Sequence, residues 1–129
     1  MMKKVVAIAI VLFSLSPGVI AQTAASFTGK WEGTFKMQRD EGEGDPRPVV
    51  FDLIQKGKVL TGTAGPTAQW KVENGVVNEG TATFDVQQPD GPLFKFTLTI
   101  VKGRLQGEMA GTREGVVRGR AKVDAAKAK

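Results

Sequence analysis

Beyond Gln22, apolar and polar residues alternate with period two, and a turn signal breaks the alternation every few residues. The turn signals are Lys56-Gly57, Asn74-Gly75, Asn78-Glu79-Gly80, Pro89-Asp90-Gly91, Lys102-Gly103 and Glu114-Gly115. No stretch there sustains an apolar i, i+3, i+4 stripe, so helices are not expected. The pattern predicts about eight strands, near 27–38, 47–55, 58–64, 67–73, 80–88, 92–101, 104–111 and 115–123. Asn74-Gly75 either ends the fourth strand or is a bulge within a longer strand that turns at Asn78 to Gly80.

Side chains alternate across a strand, so each strand sorts into two faces. One face carries Trp31, Gly33, Phe35 and Met37, then Val49, Phe51 and Leu53, then Leu60, Gly62 and Ala64. It continues through Trp70, Val72, Ala82, Phe84, Val86, Phe94, Phe96, Leu98 and Ile100. Leu105, Gly107, Met109, Val117, Gly119, Ala121 and Val123 complete it. The other face is Thr-, Lys-, Glu- and Arg-rich. Successive hairpins with one dry and one wet face predict an all-β fold, an antiparallel up-and-down meander closed into a small barrel or folded into a sandwich. A membrane-embedded barrel has the reverse polarity and is not expected.

The motif apolar-x-Gly-x-apolar recurs in "WEGTF", "LTGTA", "LQGEM" and "VRGRA", with the glycine on the inward face. Glycine within a strand marks a bulge, a bend or the close approach of a neighbour, and a narrow barrel needs such points.

The meander follows an N-terminal leader. Lys3 and Lys4 precede the apolar run Val5 to Leu15, then Ser16-Pro17-Gly18, and Val19-Ile20-Ala21 suits signal peptidase. The run is too short to span a bilayer. Residues 1–21 are therefore expected to be a cleaved signal peptide, 22–123 the barrel, and 124–129 a flexible basic tail. The expected location is the periplasm or the medium.

Composition removes several functions. The chain has no cysteine, so disulfides, thiol catalysis and a lipid-anchored N-terminal Cys are excluded. It has no histidine, which removes the commonest general base and metal ligand. An enzyme built without either would rely on carboxylates with Lys or Arg, and no such pair has a telling spacing, so a non-catalytic role is expected. Lys3 and Lys4 leave with the leader and lower the formal charge of +5 by two. That residual charge gathers near the C-terminal end and does not argue for nucleic acid. In the segment 39–48, "RDEGEGDPRP", Asp40, Glu43 and Asp45 are spaced like oxygen ligands but lack the calcium-loop pattern, and a solvated loop with no metal is expected.

"FTGKWEG" followed by "LTGTAG", with Gly29-x-Trp31 in the first strand, resembles the calycin superfamily of lipocalins, fatty-acid-binding proteins and avidins, and also small secreted bacterial β-domains. The resemblance implies a barrel whose tryptophan closes one end beneath a basic residue of the last strand, here Arg118 or Arg120. The sequence departs from avidin in having no tyrosine and no counterparts of the biotin-holding residues, and from haem-binding barrels in having no histidine ligand. No cofactor is expected.

The aromatic residues on the inward face, Trp31, Phe35, Phe51, Trp70, Phe84, Phe94 and Phe96, satisfy two arrangements. They line a pocket for a small apolar ligand, or they are plain core. In the second arrangement the protein acts as an exported interaction or inhibitor module, with an envelope protein as partner.

Overall fold

The computed structural model describes residues 26–39 and 41–128. The expected leader and Asp40 lie outside the described residues. The strands are β1 (Gly29–Arg39), β2 (Gly42–Glu43), β3 (Arg47–Lys56), β4 (Val59–Gly65) and β5 (Trp70–Asn78), followed by β6 (Thr81–Gln87), β7 (Leu93–Val101), β8 (Arg104–Arg113) and β9 (Val116–Lys127). Each long strand pairs antiparallel with the next, and β1 also pairs with β9 from Trp31 opposite Lys127 to Met37 opposite Ala121. Eight strands thus close into a barrel rather than a sandwich, and two-residue β2 extends one end of β1.

The turn chemistry accounts for the tight connections. Glu79-Gly80, Lys102-Gly103 and Glu114-Gly115 all have positive φ at both central positions, as the I′ turn that matches strand twist requires.

The inward glycines act mainly by absence of bulk. A methyl group on Gly33 would run into the backbone of Asp124 and Ala125 across the β1–β9 seam. Gly62 and Gly107 face the carbonyls of Asp52 and Thr97 in the same way. Gly119 is different, because only the terminal methyl of Met37 lies against it.

The interior follows the alternation, with two interruptions. Asn74, with φ +54°, sits in a bulge, and β5 continues to Asn78 rather than ending at Asn74-Gly75. The extra residue shifts the alternation: Val72 and Val77 are buried whereas Val76 faces out. A second bulge, at Arg118, sets Val117 opposite Thr112 instead of Arg113. Val117, expected inside, is therefore 45% exposed, while Thr112 is buried with its hydroxyl donating to the Leu93 carbonyl at 3.1 Å.

The expected tail is also corrected. Residues 124–127 continue β9, all four paired with β1 and the first three also with β8. Ala125 is fully buried opposite Gly33, and Asp124 accepts a 2.9 Å charged hydrogen bond from Arg104. The period-two pattern simply runs on through Val123, Ala125 and Lys127.

Candidate functional site

The two ends of the barrel differ. At one end, Trp31 is 2% exposed, and its indole N–H donates to the Phe27 carbonyl at 3.0 Å. Phe27 is buried beside it, and its own N–H donates to the Gln55 side chain at 3.0 Å. The Gln55 N–H in turn donates to the Thr28 hydroxyl at 2.8 Å, which ties the segment before β1 to the end of β3. The Lys127 ammonium lies 5.1 Å from the centre of the Trp31 ring, a contact worth about 0.5–1 kcal/mol at an exposed site. Gly29, with φ +136°, leaves room for the Lys127 stem to pass. The cation over the tryptophan is thus Lys127. Arg118 and Arg120 are exposed further back along β9, because the seam register puts Lys127 opposite Trp31. This end is shut.

The opposite end holds a cavity of about 270 Å³. Inward positions near it are small: Ala64 on β4, Gly111 on β8 and Gly119 on β9. Phe94 leans on Gly111 and Met37 on Gly119, which fills the β8–β9 side. The space that remains is lined by Phe35, Trp70, Phe94 and Phe96, by the aliphatic Val49, Ala64, Val86 and Met109, and at its rim by Arg47, Gly65, Pro66 and Gln88.

Of the seven aromatic residues singled out from sequence, the structure brings four together here: Phe35, Trp70, Phe94 and Phe96. Phe51 and Phe84 do not line the cavity but pack against Phe96. Phe84 stacks on it at 4.9 Å between centroids and 13° between planes, and Phe51 meets it edge-on at 5.4 Å. Trp31 belongs to the shut end. Sequence reasoning did not reach Arg47, Pro66 or Gln88. Arg47 carries a usable signal, since it continues the inward series of Val49, Phe51 and Leu53.

The rim is held by short polar links. The Ala68 N–H donates to the Gly65 carbonyl at 3.2 Å, and the Thr67 N–H and hydroxyl both donate to Gln69 Oε1, at 2.8 and 3.0 Å. Gly65 has φ +139°, and a side chain there would strike Gln69 and the Trp70 ring, so this turn sets where Trp70 stands. Across the mouth, the Gln87 amide donates to the carbonyls of Gln88 and Gly91 at 2.8 and 3.0 Å, fixing the β6–β7 connection.

The acidic segment is arranged differently. Glu43 lies 3.9 Å from both Lys36 and Lys122, outside the barrel. Among the described residues, no group of three or more His, Cys, Asp or Glu side chains is placed to hold a metal ion. The outer groove beside Glu43 interleaves Lys36, Lys122, Glu108 and Asp124, exposed charges of both signs with no dominant field.

No protein-family model matches the chain, and no curated protein or solved structure matches it. The architecture stands on its own evidence, a small antiparallel barrel of eight strands compatible with a calycin-like fold.

Proposed function

We propose that this chain is a calycin-type binding protein that acts after export, holding one small, mostly apolar molecule in the open mouth of its barrel without chemically changing it. The observation that carries this reading is the cavity of about 270 Å³ walled by Phe35, Trp70, Phe94 and Phe96. Small apolar sites of this kind are concave and largely pre-formed, and the hydrogen-bonded turns beside Trp70 and Gln88 favour pre-formation. Gly29-x-Trp31 and the cation over its ring support the calycin assignment.

The pocket is tested with 2-naphthalenemethanol, a neutral apolar probe. Titrated into the mature protein, it should change tryptophan emission saturably at one molecule per chain. Ala64→Leu, which fills the cavity from its wall, should weaken binding about tenfold or more while the circular dichroism of the barrel is kept. A variant that merely melts higher, with a wild-type protein blind to the probe, would mean that the rings are plain core.

A second reading has its own observation. On the outer face, Val59 and Val76 pair directly across β4 and β5 at 57% and 45% exposure, with Ile54 diagonal to them at 48%. Such a patch suits the exported interaction or inhibitor module, with an envelope protein as partner.

Export rests on Lys3, Lys4, the apolar run to Leu15 and the small residues before Gln22. Protein recovered outside the cytoplasm should begin at or near Gln22 when its N-terminus is sequenced. An intact Met1 in membrane fractions would instead mark the segment as an anchor.

A further inference from the structure

We propose that the ligand of the mouth pocket is a small aromatic acid whose carboxylate is taken by Arg47; this rests on the pocket reading above. Arg47 stands at the start of β3, opposite Phe35 in register and on the same face as Val49 and Phe51. Its position therefore belongs to the interior, at the point where the interior meets solvent. Among the described residues, it is the one charged residue lining the cavity.

Among the described residues, the Arg47 side chain forms no ion pair and no hydrogen bond. The acids near it in sequence are otherwise placed: Glu43 is drawn to Lys36 and Lys122, and Asp45 is exposed without an ion-pair partner among the described residues. A guanidinium is a rigid fork matched to the two oxygens of a carboxylate. At an aromatic mouth, water screens such a pair less than on an open surface. Gln88, half-buried at the same rim, has a side-chain amide with no hydrogen-bond partner among the described residues, so it is free to add a polar contact.

The rest of the pocket sets the body of the ligand. Phe35, Trp70 and Phe94 are half-buried rings around the space, and Phe96 forms part of its wall. Flat faces of this kind suit a flat ring. A volume of about 270 Å³ suits a compact ligand of one or two fused rings.

Calorimetric titration of the mature protein with 2-naphthoate and with 2-naphthalenemethanol separates charge from shape. The acid should bind about tenfold more tightly than the alcohol at low salt. Arg47→Met, an exposed substitution that should leave the melting temperature in place, should erase the difference between acid and alcohol. Equal affinities in the wild-type protein would overturn the acid preference while leaving the pocket standing. A preference that survives Arg47→Met would overturn the role of this residue. If neither compound binds, the pocket reading falls with the inference.

Discussion

Trp31→Ala should destabilise the barrel by about 3–5 kcal/mol, the range for removing a large aromatic side chain from a core. Three losses fall together: the buried indole, its hydrogen bond to the Phe27 carbonyl, and the surface on which Lys127 rests. A small domain has a total stability of about 5–15 kcal/mol, and this one has no disulfide in reserve. The variant should therefore be marginal in denaturant titrations. Glu32→Ala, one residue along and pointing to water, should shift stability by no more than about 0.5 kcal/mol. Equal midpoints for the two variants would contradict the placement of Trp31 inside.

Gly33→Val should cost about 3 kcal/mol through overpacking at the seam. The new side chain has nowhere to go, because the neighbouring atoms are the backbone of Asp124 and Ala125 rather than the end of a flexible side chain. Gly119→Ala is the control within the same recurring motif. Its neighbour is the Met37 methyl, which can swing aside, so the change should stay within about 1 kcal/mol. Thermal melts of both variants test whether β1 and β9 approach each other as closely as the register requires.

Much of this architecture is written in the alternation and the turns, because a hairpin meander is specified locally. The alternation misplaces residues where a single extra residue enters a strand. Asn-Gly is both a hairpin signal and a natural bulge, since Asn tolerates positive φ, and only its cross-strand partners decide between the two. Arg118 carries no such mark, so Val117 could not be turned outward from sequence. The cation over Trp31 was misassigned for a related reason. The β1–β9 register is set by no turn, and reading the Ala/Lys-rich end as a tail removed Lys127 from consideration.

The aromatic face was visible, but its division into plug, packed trio and pocket wall was not. That division depends on which strand ends meet at one mouth. In a meander those ends alternate, so the small residues Ala64, Gly111 and Gly119 fall at the same end as Phe35, Trp70 and Phe94. The signal was the grouping of small and aromatic residues at one end of the barrel, which a two-face sorting does not read.

The seam between β1 and β9 joins the first and last strands of the barrel, whereas the other long-strand pairings join strands linked by one short connection. Hairpins of that kind form between residues already close along the chain, so they place little demand on the search for the native state. The seam is the non-local contact. Until it forms, β1 and β9 each present a bare row of amide and carbonyl groups, the kind of edge on which another copy can add a strand. Closing the ring therefore leaves neither edge open to strand addition. Lys127 reaching across Trp31 fastens that ring at one end, so the residues that shut the barrel against water also guard it against its own kind.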